Sequence, residues 1–256
     1  MELNRDYESA AIYKWRKKRK KAFVLFICIV GICFLVTRMV RVEDKTTVKV
    51  HNMHTEQNEK AIRYVASNMI KEDPKIAITF DDGPSPAWTP QLLDGLKERN
   101  VKATFFLIGE NAKNNPELVK REAEEGHLIG NHTYHHVEIT RVPDETAQEE
   151  ILMTNEVITG ITGEEVSYMR PPFGVWQKNL ERKLDVMPVL WTIDPLDWTT
   201  DNEDEIINKV VTQAGENDII LLHDCYKSSV NAALRIVDIL QKEGFEFVTV
   251  DELIMN

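Results

Sequence analysis

Cysteine is scarce in this chain. There are three in 256 residues: Cys28 and Cys33 share one uncharged stretch, and Cys225 stands alone in the remainder. A body with a single cysteine cannot close an internal disulfide, so its stability rests on a hydrophobic core. Positive charge is scarce beyond residue 42. Residues 43–256 carry 21 Lys/Arg against 39 Asp/Glu, a net of −18. Such a body repels phosphate, which argues against nucleic acid as a partner. Internal repeats and low-complexity tracts are missing as well. What remains is an ordinary globular composition, 43% hydrophobic, long enough for one domain plus something smaller.

One stretch breaks this pattern. Residues 1–42 hold ten Lys/Arg and three Asp/Glu, a net of +7, and seven of the eight residues from Lys14 to Lys21 are basic. Ala22 to Thr37 then runs for 16 residues without a charge. A membrane span takes about 17–25 residues, and Arg38 can snorkel so that Met39 and Val40 extend the run. No A-x-A-like cleavage site follows, and bulky Ile32 before Cys33 spoils a lipoprotein site. The expectation is an uncleaved transmembrane signal anchor at 22–42. The positive-inside rule then puts the basic segment 1–21 in the cytoplasm. Residues 43–73 are polar and lack glycine; they read as an extracytoplasmic stalk whose His51 and His54 are exposed polar residues. The expected location is a bacterial cell membrane, crossed once, with residues 74–256 outside it.

From Pro74 a rhythm begins. Apolar runs stand at 75–80, 103–108, 127–131, 166–170, 187–194, 218–224 and 245–250. Between them lie helical patterns. Trp88, Leu92, Leu93 and Leu96 recur at helical spacing, Asn115-Pro116 opens a segment that Gly126 closes, and residues 143–163 carry acids in their first turn. Two more such patterns begin at Asn202 and Ser228. Strand alternating with helix implies a parallel sheet with right-handed crossovers. Seven strands suit an imperfect (β/α) barrel.

The unusual residues gather at the strand ends. Asp81 and Asp82 follow the first run, NHTYHH (131–136) the third, RPPFG (170–174) the fourth, DPLDW (194–198) the fifth and His223-Asp224 the sixth. Asp-Gly is common turn chemistry, so alone the aspartate pair reads as a surface turn. Five clusters on one face of a barrel read as a site. His132 and His136, four apart, share a face if they lie on one helical turn. With Asp82 they offer two imidazoles and a carboxylate, which leave positions open for water and substrate. Zinc suits this set, and manganese, cobalt or iron remain open. His135 faces elsewhere. Adjacent strand residues point to opposite sides, so Asp81 is left free to take a proton from water. Arg170 is placed to keep Asp81 ionised. His223 is the candidate acid, with Asp194 raising its pKa. Phe173, Trp191 and Trp198 read as core or as a sugar platform.

TFDDGP, HTYHH, RPPFG, DPLDW and LLHD, in this order, resemble the motifs of polysaccharide deacetylases, the NodB-homology domain of family 4 carbohydrate esterases, over about residues 73–253. The resemblance implies a distorted (β/α) barrel and a metal-dependent amide hydrolase that removes acetyl groups from N-acetylated sugars in polymers. It implies Asp81 as base, Asp82, His132 and His136 as ligands of a divalent metal, and Arg170 as the partner of the base. It further implies the Phe173 backbone N–H as oxyanion donor, His223 as acid tuned by Asp194, and Trp198 and Leu222 as walls of an acetyl pocket. Phe173 stands where tyrosine is frequent, and a backbone donor tolerates the change.

The anchor and short stalk would set such a domain beside the cell wall. Peptidoglycan N-acetylglucosamine is therefore the expected substrate and Zn2+ the expected metal, with Co2+ or Mn2+ as alternatives. N-acetylmuramic acid, chitin oligomers or an exported polysaccharide are alternative substrates. A non-catalytic wall-binding protein on the same fold is the alternative of another class. A monomer, held to the membrane by its first helix, is expected.

Overall fold

The structure is a computed structural model that describes residues 73–177, 180 and 184–255. The expected basic segment, anchor and stalk, up to residue 72, lie outside the described residues. Among the described residues no helix is long and apolar enough to cross a membrane.

Strand β1 (Lys75–Asp81) leads through α1 (Thr89–Glu98) to β2 (Thr104–Leu107). Helices α2 (Gly109–Asn114) and α3 (Pro116–Glu124) precede β3 (Leu128–Asn131), and the long α4 (Asp144–Thr162) precedes β4 (Tyr168–Met169). Strand β5 (Met187–Pro188), α5 (Glu203–Val211), β6 (Ile219–His223), α6 (Lys227–Lys242), β7 (Glu246–Phe247) and α7 (Val250–Met255) follow. The strand order is β5-β4-β3-β2-β1-β6, with β7 also on β1, and every pairing is parallel. The sheet curls as a half-barrel, consistent with the expected (β/α) barrel. Past β5, one parallel bridge joins Ile193 to Ile220 in β6.

Parallel strands are covered on both faces and so read as unbroken apolar runs. In β1, Ile76, Ile78 and Phe80 pack with Leu92, Leu93 and Leu96 of α1 and Val230, Ile236, Val237 and Leu240 of α6. Each such aliphatic side chain, fully buried, contributes about 1.5–3 kcal/mol of transfer free energy. Ala77 faces the other way, with Phe106, Val189 and Val248. The alternation puts Thr79 and Asp81 on this second, inner face.

Helix ends follow the expected chemistry in part. Asn202 caps α5 by accepting from the Glu205 N–H at 3.3 Å, and Gly163 closes α4 in the left-handed region at φ 79°. Three expected strands shrink to two residues each: of 166–170, only Tyr168–Met169 form β4. Of 187–194, only Met187–Pro188 pair with β4, and Ile193 alone reaches β6. Of 245–250, Glu246–Phe247 form β7, while Val250 already opens α7. The short α2 had no apolar period to announce it.

Candidate active site

Four of the five expected clusters lie at a C-terminal strand end, and the fifth, 194–198, follows an isolated bridge. Asp81 is the last residue of β1 and pairs in register with His223, the last of β6. His132 follows β3, Arg170 follows β4, and Asp194 follows the Ile193 bridge.

Asp81 and Asp82 meet the same imidazole, contrary to the expectation that neighbours on a strand diverge. His132 Nε2 lies 3.8 Å from Asp81 Oδ2 and 3.4 Å from Asp82 Oδ1. Asp82 sits just past the strand with φ 70°, a left-handed turn that swings its carboxylate to the side of Asp81. The two histidines also differ from expectation. They lie on a loop, not a helical turn, with Thr133 at φ 62° and His136 at φ 56°. The loop still brings His136 Nε2 to 3.5 Å from Asp82 Oδ1. His135 points away, its Nδ1 2.7 Å from Glu150 Oε1.

Asp82, His132 and His136 offer ligand atoms within 4.8 Å of one another, the one such group among the described residues. The donors are prepared for a cation. Asp82 Oδ1 is buried and without a hydrogen bond. His132 Nδ1 donates to the Arg170 carbonyl at 2.7 Å, which leaves the Nε2 lone pair toward Asp82. Burial, with the His132 charge, holds His136 below its ordinary pKa, so its imidazole is neutral as a ligand must be. Burial opposes ionisation of Asp82, but contact with His132, and the charge that His132, His223 and His136 carry when protonated, outweighs it and lowers its pKa. Two imidazoles and one carboxylate thus fit a divalent cation with positions left open.

Asp81 is held on its other side. Arg170 is fully buried, and its Nη1 donates to Asp81 Oδ1 at 2.8 Å and to Thr79 Oγ1 at 2.6 Å. Its Nε and Nη2 donate to the carbonyls of Val189 and Leu190, each at 3.3 Å. Phe106 lies 4.3 Å and Trp191 5.6 Å from the guanidinium, measured to the ring centres. Trp191, partly exposed and outside the hydrophobic clusters, therefore packs on the arginine at the edge of the site.

The partner of His223 is Asp197, not Asp194. His223 Nδ1 donates to Asp197 Oδ1 at 2.8 Å, and its backbone N–H donates to Oδ2 at 2.8 Å. Asp194 instead accepts from the Leu196 N–H at 2.8 Å. Leu196 is left-handed at φ 58°, and the turn Asp197–Thr199 then drives Asp197 inward, 1% exposed. Burial pulls the His223 pKa down, but Asp197, with Asp81 and Asp82, pushes it up to about 9.

Leu222 does not face the site. It is fully buried with Ile78, Phe80 and the helices, and strand alternation puts Leu221 on the face of His223. Phe173 and Trp198 are exposed, at 62% and 56%. The Phe173 ring packs edge-on to His136 with 5.0 Å between centres. Tyr226, another exposed aromatic that the sequence did not single out, stands edge-on to His223 at 6.3 Å.

Further support comes from side chains that sequence reasoning passed over. Asn111 Nδ2 donates to the Asp82 carbonyl at 2.8 Å. Asp224, fully buried, accepts from Thr89 Oγ1 and lies directly behind Gly83. Burial, with the charge of Asp82, pushes the Asp224 pKa up to about 7 against its Thr89 bond.

The chain matches the family model described as polysaccharide deacetylase over residues 68–189. It is 38% identical over 216 residues to the peptidoglycan-N-acetylglucosamine deacetylase PgdA of Listeria monocytogenes, covering 82% of this chain and 46% of that protein. It is 39% identical over 199 residues to a peptidoglycan-N-acetylglucosamine deacetylase of Bacillus cereus, covering 75% and 93%. The solved structure of peptidoglycan deacetylase PdaC from Bacillus subtilis superposes with a TM-score of 0.70 at 38% identity, covering 71% of this chain and 90% of that one. The chain belongs to the polysaccharide deacetylase family. It spans less than half the length of the Listeria relative, 46%.

Proposed function

We propose that this protein is a metal-dependent hydrolase that removes N-acetyl groups from N-acetylglucosamine in peptidoglycan and releases acetate. One observation carries the reading: the Asp82/His132/His136 group lies between a clamped carboxylate, Asp81, and a carboxylate-backed imidazole, His223. A carboxylate and an imidazole flanking one cation site are the acid–base pair that amide hydrolysis requires.

A divalent ion held by Asp82, His132 and His136, with Zn2+ favoured and Co2+ or Mn2+ as alternatives, supplies Lewis-acid polarisation of the acetamide carbonyl and of water. Asp81, fixed by Arg170, takes a proton from the attacking water. The backbone N–H of Phe173 donates to the oxyanion that develops. His223, kept protonated by Asp197, gives its proton to the leaving sugar amine, and the carbon–nitrogen bond breaks. Trp198 and Leu221 are proposed to wall the acetyl group.

The names of the relatives support peptidoglycan as the substrate class. The expected anchor, stalk and extracytoplasmic location, and the monomeric state, are part of the same proposal and rest on the sequence of residues 1–73. The complete set of donors, base and acid favours an enzyme over a non-catalytic wall-binding protein.

The purified full chain, loaded with zinc, is to be incubated with peptidoglycan and separately with chitin oligomers, and released acetate assayed. Acetate from peptidoglycan that is absent with Asp81→Asn supports the reading. Acetate from chitin oligomers alone moves the substrate to the alternative. No acetate from either, with zinc bound, turns the reading to a non-catalytic binder.

A further inference from the structure

Glu150 is an acid in the middle of α4, where a solvent-facing side chain is the ordinary arrangement. It is instead buried, 8% exposed, and turned toward the loop between His132 and His136. Its Oε2 accepts from the backbone N–H of Tyr134 at 3.0 Å and of His135 at 2.8 Å. Its Oε1 meets His135 Nδ1 at 2.7 Å. One carboxylate therefore holds three donors of a loop that departs twice into left-handed backbone, at Thr133 and His136.

Such a loop has no repeating hydrogen-bond ladder to fix it. A non-glycine residue at positive φ costs of order 1–3 kcal/mol and persists only when its surroundings over-determine it. Part of the remaining fixing comes from the same side of the molecule. Asn131 Oδ1 accepts from the Thr133 N–H at 2.7 Å, and Asn131 Nδ2 donates to the Ile151 carbonyl and Asn155 Oδ1 of α4, at 2.8 and 2.6 Å. On the far side the N–H groups of Gly109 and Glu110 donate to the Thr133 and Tyr134 carbonyls, at 2.9 and 3.1 Å. Glu150 supplies the charged part of this frame, and its bonds are of the stronger kind.

We propose that Glu150 is a positioning residue for the metal site: it sets the 132–136 loop so that His132 and His136 both present Nε2 to Asp82. This rests on reading those three residues as metal ligands. It assigns α4, a helix with no ligand of its own, a share in metal affinity.

The test measures zinc affinity of the full chain by competition with a chromophoric chelator, together with thermal unfolding of the metal-free protein. Glu150→Gln keeps an oxygen for the two backbone donors, and zinc affinity stays within about threefold of wild type. Glu150→Leu removes the acceptor, and zinc affinity falls by about 10–100-fold, the range seen when groups supporting metal ligands are removed. Glu150→Asp keeps charge and solubility but withdraws the carboxylate by one methylene, which serves if the leucine variant does not fold. It also weakens zinc by about tenfold, while the metal-free protein melts within a few degrees of wild type. Zinc affinity unchanged in Glu150→Asp and Glu150→Leu overturns the proposal and leaves the ligand assignment standing. A wild-type chain that takes no zinc removes the ligand assignment, and the proposal with it.

Discussion

Asp197 holds His223 twice, once at the imidazole Nδ1 and once at the backbone N–H, both at 2.8 Å. A carboxylate bonded to both parts of one residue fixes the ring's orientation as well as its charge. The Nε2 edge is left facing Asp82 Oδ2 at 4.0 Å, toward the proposed metal.

The pH dependence of the reaction follows from this pair. Asp197 raises the His223 pKa to about 9, so the acid form is present below that pH and is lost as pH rises through it. Activity therefore falls on an alkaline limb, displaced below 9 in the zinc-loaded protein because the bound cation opposes the Asp81 and Asp82 charges. Asp197→Asn lowers the pKa and moves the limb toward the ordinary histidine value. It reduces kcat by on the order of 10²-fold at pH 8. Asp194→Asn leaves the limb in place. A pH–rate profile of both variants checks this, and a limb that moves only with Asp194→Asn would reverse the assignment.

Arg170→Leu strands a carboxylate that is 3% exposed. Breaking a buried ion pair from one side costs about 3–5 kcal/mol. Urea denaturation of the metal-free variant is expected to show a loss in that range, and the zinc-loaded variant is expected to lose acetate release. Full stability would mean that Asp81 finds another partner.

Gly83 has Asp224 directly behind it. A Cβ at this position would lie 2.6 Å from Asp224 Oδ1 and 2.7 Å from Oδ2, and Thr89 ties that carboxyl down. Gly83→Ala must push the turn outward and with it Asp82. The expected result is a loss of about 1–3 kcal/mol in stability and weaker zinc binding, read by thermal melts and chelator competition. The double variant Gly83→Ala, Asp224→Ala relieves the clash and recovers part of the zinc affinity.

Phe173→Ala removes an exposed ring but keeps the backbone N–H. The expectation is a raised KM with kcat within about threefold, as for lost uniform binding. A collapse of kcat with KM unchanged would assign the ring itself to the transition state.

The strands were legible because each is covered on both faces and so appears as an apolar run. The five clusters were legible because each closes such a run. Which side chain reaches which was less so. Asp194 and Asp197 lie on one loop, and the left-handed Leu196 between them decides which turns inward. Leu222 could have been corrected by counting, since residues of one face differ by two and His223 shares its face with Leu221. Glu150 could not be found by pattern, because a mid-helix acid ordinarily meets water. Its role appears only when a loop from elsewhere in the chain is laid beside it.

Strand β1 ends on Asp81, with Asp82 just past it, and is flanked by β2 on one side and β6 on the other. Its register sets Asp81 beside His223, residues that lie far apart along the chain. The proposed base and acid therefore come together only through a long-range pairing, whose loop-closure entropy must be met before the contact forms. The two histidines proposed to bind the metal arrive earlier in the sequence, and the proposed proton donor, His223, arrives almost last. A chain still emerging, or one cut short before β6, would own the proposed ligand residues and lack the imidazole proposed to protonate the amine. Hydrolytic competence is in this way tied to completion of the domain.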